Sequence, residues 1–600
     1  MPDGNNRSSW ELFRAYLAPY APTVVVGIVF LIVSNVFGRL VPWVLKEGID
    51  SLSTSGARAL LWYAALIIGL TAFQGACRFG GRWVLIRLSR DIEYTLRNTV
   101  YAHLQRLAPS FYHRTSTGDL MSRLTQDFNV LRQLFGVGIV YSVGTGITYL
   151  STVPLMAAID PWLTVMALLP FPVLFVTLFR SQKIVRERFE AVQASLDRIT
   201  EKAQEHLSGI RLVKSYVMEE QEAEEFERLN REYVARNLHL ARVDGLFTAA
   251  AGILAGLSVV IILWLGGQRV IQGSVSLGGF VAFNGYLVTL IWPTEALAWI
   301  TSVIQRGFVS LKRVTAILDE TPTIGDPEQP VGAESLLGEI EFRNLSFTYP
   351  GRERPALRDV ALHIPAGGRI AIVGPTGAGK STLVQCLPRL LEVPPGHPFF
   401  DGIDATRIPL RTLRGSIGYV PQEPFLFSDS LRENIAFGRA DASRDEIETV
   451  VVAAGLKREI RELPHGPETV VGERGVTLSG GQRQRVTIAR ALMMNPALLI
   501  LDDALSGVDA ETEAAILERL EPIMKKRTTL IITHRLSTIQ SADLIVVMDD
   551  GRIVETGRHE ELLAGRGLYA ELWHRQQLLS ELESLTLPSP LGERINGERG

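Results

Sequence analysis

The chain has 600 residues, of which 61 are lysine or arginine and 64 are aspartate or glutamate, for a net charge of −3. This balance provides no basic field for nucleic acid, which we exclude as an expected partner. Two cysteines far apart in sequence, Cys77 and Cys386, exclude a disulfide framework and give no metal-site spacing. Long apolar runs fill the first half, whereas the second half has the composition of an α/β protein.

The first twenty residues are polar, contain Arg7, Glu11 and Arg14, and lack the small-residue cleavage site of a secretory signal. Residues 10–17 are mildly amphipathic, which is typical of a helix lying at a membrane surface. We therefore predict an interfacial helix in residues 1–20, with a frayed terminus as the alternative.

A transmembrane helix needs about 20 mostly apolar residues. Six segments meet this requirement, and helices are the only structure expected for such runs in a bilayer. They lie at about residues 23–45, 59–85, 134–159, 161–182, 246–272 and 278–304. The sequence thus predicts an all-α membrane domain of six transmembrane helices with long cytoplasmic extensions in residues 21–320.

The connections between spans 2 and 3 and between spans 4 and 5 are long and rich in lysine and arginine. The positive-inside bias places these connections and both termini in the cytoplasm of a multi-pass protein of the cytoplasmic (inner) membrane. Helix-forming residues dominate both connections. We expect the spans to continue as helices and to turn around at short coupling helices near Thr117-Gly118-Asp119 and Ser208-Gly209.

Residues 321–337 are rich in proline, glycine and glutamate and are predicted to be a linker. From residue 338 to 578, short strands alternate with helices, which indicates an α/β domain. A polar helix around residues 576–585 leads into a tail, residues 579–600, that we expect to be disordered.

The first chemical motif of the α/β domain fits the pattern G-x-x-x-x-G-K-[ST] between an apolar strand and a helix. Its loop amides and the following helix favour negative charge, as a phosphate chain requires. The lysine is expected to reach the β- and γ-phosphates, and the serine hydroxyl to bind Mg²⁺. The candidate ATP-binding residues here are Gly374, Thr376, Gly377, Gly379, Lys380, Ser381 and Thr382.

The apolar run of residues 497–501 ends in Asp502. Such a run predicts a buried central strand, which would deliver this carboxylate to the Mg²⁺ shell. Alone, this run would be weak evidence for a Mg²⁺ ligand. Its position after the phosphate loop makes it strong evidence.

Residues Leu478-Ser479-Gly480-Gly481-Gln482 resemble the signature motif of ATP-binding-cassette proteins, and the two preceding motifs flank it in that family's order. Six spans followed by one cassette is the layout of the family's exporter half-transporters. Further matches are Tyr349 for adenine stacking, Gln422 in the Q-loop, His534 as the switch histidine, residues 506–509 as the D-loop and Val471-Gly472-Glu473-Arg474-Gly475 as the exporter segment before the signature.

The resemblance implies ATP hydrolysis coupled to transport, with ATP and Mg²⁺ bound between two paired cassettes. Each ATP would lie on the phosphate loop of one cassette and under the signature of the other. Ser479, Gly480, Gly481 and Gln482 would therefore contact the partner's nucleotide. Ser381, Gln422 and Asp502 would form the Mg²⁺ site, and Asp503, Gln422 and His534 would be catalytic.

The residue after Asp502 is usually a glutamate in this family, and here it is Asp503. The shorter side chain sets the carboxylate back by about 1 Å, and a misplacement of that size can cost on the order of 10²-fold in rate. The D-loop Ser506-Gly507-Val508-Asp509 also departs from the usual Ser-Ala-Leu-Asp. We therefore predict a heterodimer with a second half-exporter that carries a catalytic glutamate and an altered signature; the alternative is a homodimer in which Asp503 is the base.

The resemblance implies amphipathic drugs, peptides or lipids as cargo, with the lipid bilayer as the medium. An importer and a soluble cassette protein fit the domain layout poorly, whereas a lipid flippase and a channel or regulatory subunit remain alternatives. Among polar residues in the spans, Arg39 and Glu295 are our first candidates for a cavity wall, because ionisable residues within a membrane are functional candidates.

Overall fold

A computed structural model describes residues 8–53, 57–331, 335–472, 478–505, 507, 510–533 and 535–586. The chain divides into two compact units. The first comprises Met1–Gln105 and Thr117–Glu320, and the second comprises Arg106–Ser116 and Thr321–Gly600.

The described part of the first unit is helical. Its helices are α1 (Ser9–Leu17), α2 (Ala21–Asp50), α3 (Ala57–Leu104), α5 (Thr117–Ser122), α6 (Phe128–Gln133), α7 (Ile139–Ile159), α8 (Pro161–Leu168), α9 (Pro170–Ser208), α10 (Ile210–Ser215), α11 (Glu219–Ile261), α12 (Gly267–Ile271) and α13 (Leu277–Asp319). The short helix α4 (Pro109–Arg114) belongs to the second unit. Three π-helical turns, Arg123–Asp127, Leu134–Gly138 and Ile262–Gly266, join α5 to α6, α6 to α7 and α11 to α12.

Six helical segments of the described residues are long and apolar enough to cross a membrane, which confirms the predicted number of spans. They are Ser9–Asp50, Leu60–Leu104, Thr117–Ile159, Pro161–Ser208, Glu219–Ile271 and Leu277–Asp319. Each is longer than the apolar run that predicted it, since charged helix continues beyond the apolar part.

Helix α1 begins with a capping box, in which Ser8 and Glu11 each accept a hydrogen bond from the other's backbone N–H. Its Phe13 ring stacks on Phe135 at 5.1 Å between centroids and meets Phe308 edge-on at 5.9 Å. The predicted helix is therefore present. Its interfacial position remains a prediction.

The two expected turning points differ in outcome. Helix α9 ends at Ser208 and Gly209 separates it from α10, as predicted. The prediction of a break at Thr117-Gly118-Asp119 is wrong, because these residues form the first turn of α5, where the carboxylate of Asp119 suits the helix N-terminus. The break lies earlier, between Leu104 and Thr117, around the short helix α4.

Helices α9 and α11 pair along their polar lengths. Arg198 forms an ion pair with Glu232 at 2.9 Å, and Lys202 forms one with Glu222 at 3.0 Å. Ile199 and Leu229 are buried. These contacts make the second long connection a helical hairpin rather than two independent extensions.

The second unit is an α/β domain, as predicted. Its strands are β1 (Ile340–Phe347), β2 (Leu357–Ile364), β3 (Arg369–Val373), β4 (Phe399–Phe400), β5 (Ile403–Asp404), β6 (Ile417–Val420), β7 (Leu498–Asp502), β8 (Thr528–Ile532), β9 (Leu544–Asp549) and β10 (Arg552–Gly557). Its further helices are α14 (Lys380–Cys386), α15 (Leu410–Gly415), α16 (Leu431–Ala436), α17 (Arg444–Ala453), α18 (Lys457–Glu462), α19 (Gly480–Met493), α20 (Ala510–Met524), α21 (Leu536–Gln540), α22 (His559–Ala564) and α23 (Leu568–Thr586).

The strands form a four-stranded antiparallel sheet, ordered β2-β1-β4-β5, and a six-stranded sheet, ordered β10-β9-β3-β8-β7-β6. In the larger sheet β9, β3, β8, β7 and β6 are parallel, and β10 pairs antiparallel to β9. The side chains of β7 alternate between two hydrophobic cores, so all five of its residues are buried. Parallel pairing brings the carboxyl ends of β3, β7 and β8 to one edge, where ligands bind in open α/β sheets.

Two predicted segments are partly outside the described residues. Residues 321–331 of the predicted linker contain no helix or strand. Helix α23 extends to Thr586, so the beginning of the tail predicted to be disordered is helical instead, because the polar helix of residues 576–585 continues through it. Residues 332–334 and 587–600 lie outside the description. The domain limits 21–320 and 338–578 stay predictions.

Candidate nucleotide-binding site

The loop between β3 and α14 has a backbone that only glycine adopts without strain. Its three glycines have φ of +151° at Gly374, +84° at Gly377 and +96° at Gly379. A Cβ at Gly374 would lie 2.1 Å from the Met548 carbonyl oxygen, and one at Gly379 would lie 2.7 Å from the oxygen of Ala356. The loop is therefore wrapped tightly against its neighbours.

This loop forms one wall of a cavity of about 320 Å³ at the carboxyl ends of β3 and β7. The cavity brings together most of the predicted phosphate-loop, metal and catalytic residues. They are Tyr349, Thr376, Gly377, Gly379, Lys380, Ser381, Thr382, Gln422, Asp502 and Asp503. Gly374 does not line it and instead faces a smaller cavity behind β3.

The ammonium of Lys380 lies across the loop. Its Nζ donates to the Gly374 oxygen at 2.8 Å and to the Pro375 oxygen at 2.9 Å. Burial lowers the pKa of Lys380, while the negative charges of Asp502 and Asp503 oppose that shift. The cation is thus held at the mouth of the loop, beside two carboxylates.

Asp502 ends β7 and is buried, with 2% of its surface exposed. Its Oδ1 accepts from the Ser381 hydroxyl at 3.0 Å, and its Oδ2 accepts from the Tyr419 hydroxyl at 3.5 Å. Burial raises the pKa of this carboxyl, against the effect of the Ser381 hydrogen bond. A hydroxyl and a buried carboxylate side by side are oxygen donors that suit Mg²⁺.

Two predicted residues lie on other walls of the same cavity. Tyr349 is half-buried, and its hydroxyl lies 3.1 Å from the Thr382 Oγ1. The Phe347 ring packs edge-on against it at 5.0 Å. Gln422 is exposed just beyond β6. An aromatic ring and an exposed amide therefore border the cavity beside the phosphate loop.

Asp503 follows β7 in the left-handed region, with φ of +49°. Aspartate tolerates this conformation better than most residues. Its backbone N–H donates to the Ile532 oxygen at 2.9 Å, which ties the residue to the end of β8. The carboxylate at the position of the expected base is thus part of the cavity wall.

The signature residues lie elsewhere in this chain and do not line the cavity. Ser479 is the N-cap of α19, and its Oγ accepts from the Gln482 N–H at 3.2 Å. The Gln482 Oε1 accepts from the Ser479 N–H at 2.9 Å, so this side chain serves the cap. The other two first-turn amides, those of Gly480 and Gly481, precede the first i−4 carbonyl of the helix and can receive an anion.

Several predicted positions fall outside the described residues. These are the switch histidine His534, three of the four D-loop positions (506, 508 and 509) and residues 473–475 before the signature. The remaining D-loop residue, Gly507, donates its N–H to the Gln484 Oε1 of α19 at 2.9 Å.

Tyr419 was not among the predicted site residues, yet its hydroxyl donates a hydrogen bond to the predicted metal ligand Asp502. It belongs to β6, and the register of β6 with β7 places it opposite Ile500. The available signal was a polar residue in an otherwise apolar strand, immediately before the Q-loop. Burial and the nearby Asp502 charge raise the pKa of Tyr419 to about 12, so it acts as a donor.

A membrane unit with six long apolar helices and a cassette with this phosphate loop define a membrane transporter driven by ATP. Comparison with known families agrees. Residues 24–294 match the family of the ABC transporter transmembrane region, and residues 357–506 match the ABC transporter family.

Individual relatives match over almost the whole chain. A probable multidrug resistance ABC transporter ATP-binding/permease protein of Bacillus subtilis is 38% identical, over 95% of this chain and 97% of the relative. An ATP-dependent lipid A-core flippase of Syntrophus aciditrophicus is 35% identical over 96% of each. The solved structure of a bacterial Atm1-family ABC exporter with ATP bound has a TM-score of 0.76 and 29% identity, over 92% of this chain and 99% of that one.

This chain therefore belongs to the ABC exporter family, as a half-transporter with one transmembrane region and one ATP-binding cassette. It is a multi-pass membrane protein of the multidrug exporter and lipid A flippase type. Its ATP-binding domain couples ATP hydrolysis to transport.

Proposed function

We propose that the chain exports amphipathic drugs, peptides or lipids outward by alternating access, as one subunit of a heterodimer whose own phosphate-loop site hydrolyses ATP weakly. The observation that carries the proposal is Asp503. It lines the cavity immediately after the buried Asp502 and is one methylene shorter than the glutamate usual at this position.

In this proposal the described groups bind and orient ATP. Lys380 leaves the Gly374 and Pro375 carbonyls to contact the β- and γ-phosphates, and the ring of Tyr349 stacks on adenine. Ser381, Asp502 and Gln422 would hold Mg²⁺, which neutralises phosphate charge when bound. The hydroxyl of Tyr419 keeps the Asp502 carboxylate oriented.

Catalysis is assigned to Asp503 as the residue that orients water, together with Gln422 and His534. The Asp503 N–H donates a hydrogen bond to the Ile532 carbonyl, which holds the Asp503 backbone in place. The backbone therefore does not shift easily toward the nucleotide to compensate for the shorter side chain. A set-back of about 1 Å is enough for a loss on the order of 10²-fold.

The signature supports a second chain. Ser479 and the glycine amides at the start of α19 do not line this chain's own phosphate cavity. An anion acceptor from outside the chain would satisfy those amides. We propose that they complete the ATP site of a partner half-exporter that carries the catalytic glutamate and an altered signature.

The proposed setting is the cytoplasmic membrane, with both termini and the cassette in the cytoplasm. The lysine- and arginine-rich helices α9 to α11 support this orientation. The relatives named for multidrug resistance and for lipid A-core flipping support amphipathic cargo. The coupling role of α4 and α10, and the interfacial role of α1, belong to the same proposal.

The test is affinity purification of the tagged full-length chain from its native host, followed by measurement of the ATPase activity of the complex. We expect a second half-exporter in a 1:1 ratio. Asp503→Asn should then change turnover little, whereas substitution of the partner's glutamate should abolish it. Asp503→Glu is the matched gain-of-function variant, and it should raise turnover by restoring the length of the side chain.

The alternative is a homodimeric lipid flippase or multidrug exporter in which Asp503 is a working base. Purification of this chain alone, with brisk ATP hydrolysis that Asp503→Asn abolishes, would establish the alternative and refute the heterodimer.

A further inference from the structure

The loop between β7 and α20 is held on two sides by side chains of other elements. It carries Asp503, at the position of the expected base, and the D-loop residue Gly507. On one side, the Gln484 Oε1 of α19 accepts a hydrogen bond from the Gly507 N–H at 2.9 Å. On the other side, the Arg535 Nη2 donates to the Leu505 oxygen at 3.5 Å. The loop is therefore tied both to α19 and to the segment that follows β8.

The Arg535 side chain is oriented by a buried carboxylate. Its Nη1 forms an ion pair with the Oε2 of Glu513 on α20. Glu513 is 3% exposed, whereas the Arg535 side chain keeps 30% of its surface exposed. The Arg535 N–H also donates to the Thr533 Oγ1 at 3.1 Å. Arg535 is thus held at its backbone and at its guanidinium, close to the loop after β7.

A second connection joins the same two segments nearer the sheet. The Asp503 N–H donates to the Ile532 carbonyl at 2.9 Å. The stretch 503–505 is therefore attached to the β8 side at both of its ends, and Ala504 and Leu505 within it are buried. A displacement of the Arg535 side chain would release one end of the stretch that begins with Asp503.

An ion pair in this position needs a reason other than stability. Taking two charges out of water costs free energy that offsets much of their attraction, and apolar residues of similar volume are often as stable. An apolar pair cannot supply a directed donor to the Leu505 carbonyl. The Gln484 side chain, 4% exposed, likewise provides a buried polar partner for the loop backbone. Both contacts therefore serve the position of the loop.

We propose that Glu513, Arg535 and Gln484 are positioning residues for ATP turnover, which together clamp the loop after β7. None of the three is among the described residues that line the nucleotide cavity, so they act through Asp503 and the D-loop. Such positioning matters because a displacement of about 1 Å at a reacting group can cost on the order of 10²-fold in rate.

The inference rests on the proposed function, in which Asp503 orients water and α19 begins with the signature. It adds the side chains through which α19 and α20 hold the loop that carries Asp503. It does not depend on whether the partner subunit is a second copy of this chain or a different half-exporter.

The test uses the full-length chain with any co-purified partner in phosphatidylcholine nanodiscs. Steady-state ATP turnover is divided by the number of ATP sites, which photo-crosslinking of labelled ATP counts, so that unfolded protein does not lower the result. The thermal midpoint of each variant is measured in parallel. The variants are Arg535→Met, Glu513→Met and the two combined.

Each single variant should have a lower thermal midpoint, because it removes one partner of a buried ion pair. The double variant should recover much of the midpoint, since neither charge is then left unpaired. Turnover per ATP site should nevertheless stay lower by roughly tenfold or more in all three variants, because the Leu505 carbonyl has lost its directed donor. The KM for ATP should change little, since none of these side chains lines the cavity.

Gln484→Met tests the other side of the clamp, and it should lower turnover per ATP site by a similar factor, roughly tenfold. Glu521→Met is the matched control on α20. It breaks the pair of Glu521 with Lys525 at 2.9 Å on the same helix and should keep parental turnover.

Parental turnover in the double variant would show that the ion pair serves stability alone and would overturn the proposal. Turnover as low in Glu521→Met as in Glu513→Met would also overturn it, because any change in α20 would then slow the reaction. Parental turnover in Gln484→Met would overturn the link to α19. These outcomes are separate from those of the heterodimer test, which depend on what co-purifies and on the Asp503 variants.

Discussion

The cassette has two separate sets of predicted ATP contacts, the phosphate-loop end around Lys380 and the signature end around Ser479, and they differ in structure. At the phosphate-loop end, Gly379 and Asp503 both have positive φ, and the buried ions Lys380 and Asp502 share one cavity. At the signature end, Ser479 is the N-cap of a helix with a capping box, and the first-turn residues of that helix do not line the cavity. The phosphate-loop end is strained and gathers its groups from within this chain, whereas the signature end is relaxed and has its free amides outside that cavity.

The difference indicates where function depends on backbone geometry and where it depends on assembly. Substitutions at the phosphate-loop end should alter folding and ATP binding together. Substitutions at the signature end should leave the fold nearly intact and affect only the assembled transporter.

The largest effect is expected for Lys380→Ala. Removing the ammonium leaves the phosphates without their cation and should weaken ATP binding to this chain's own phosphate loop by roughly 10- to 100-fold, the effect of losing a charge-assisted contact. Lys457→Ala on α18, where the lysine pairs with Glu448 at 3.2 Å, is the control and should bind ATP as the parent does. Photo-crosslinking of labelled ATP to this chain measures both, and near-parental labelling of Lys380→Ala would contradict the site.

Gly379→Ala tests the strain at the same end. Its new Cβ would lie 2.7 Å from the Ala356 oxygen, whereas Gly377→Ala, at a similar positive φ, meets no atom within 4 Å. Both variants suffer the left-handed penalty of about 1–2 kcal/mol per residue. Only Gly379→Ala adds a collision with backbone.

We therefore expect the thermal midpoint of Gly379→Ala to fall several degrees further than that of Gly377→Ala, at about 2–4 °C per kcal/mol for a domain of this size. Thermal unfolding of both variants without nucleotide checks this. Equal midpoints would show that the loop relaxes freely and is not wrapped tightly.

The motifs predicted the phosphate-loop end because each fixes a backbone as well as a side chain. The spacing of Gly374, Gly379 and Lys380 specifies a strand, a loop and a helix, and the apolar run before Asp502 specifies a buried strand. Tyr419 was missed because its place beside Asp502 depends on the register of β6 and β7. Local sequence does not encode that register.

In the membrane unit, too, the sequence predicted the features that depend on composition but not those that depend on packing between elements. The number of spans followed from composition, since length and hydropathy alone decide it. Arg39 and Glu295 were both expected in a cavity wall. Arg39 lines the cavity between α2, α3, α7 and α13, whereas Glu295 does not line it. The face that each helix turns inward depends on packing against its neighbours, which no periodicity in α13 reveals.

Glu513 on α20 tests whether a buried carboxyl close to Asp503 lowers the stability of the fold. Burial raises its pKa to about 7, although the contact with Arg535 opposes the shift. The folded state then holds the proton more tightly than the unfolded state, where the pKa is about 4.3. The free energy of unfolding should therefore fall as pH rises from about 4.5 to 7, by on the order of 1–3 kcal/mol.

Glu513→Gln should remove most of this dependence, and Glu518→Gln, exposed on the same helix, should keep it. Denaturant unfolding of the three proteins at several pH values is the measurement. A parental slope that survives in Glu513→Gln would assign the dependence to another group.

The smallest effect on stability is expected at the signature end. Ser479→Ala removes the N-cap of α19 and Ser443→Ala removes an equivalent capping box on α17, so each should cost about 1 kcal/mol. Their effects on ATP turnover should nevertheless differ. Ser479 also begins the set of donors that we propose for a partner's γ-phosphate, so its loss should slow the assembled transporter by roughly tenfold beyond the matched variant. If the two serine variants had equal turnover, the signature end would be only a capped helix, and the active site of the complex would not depend on it.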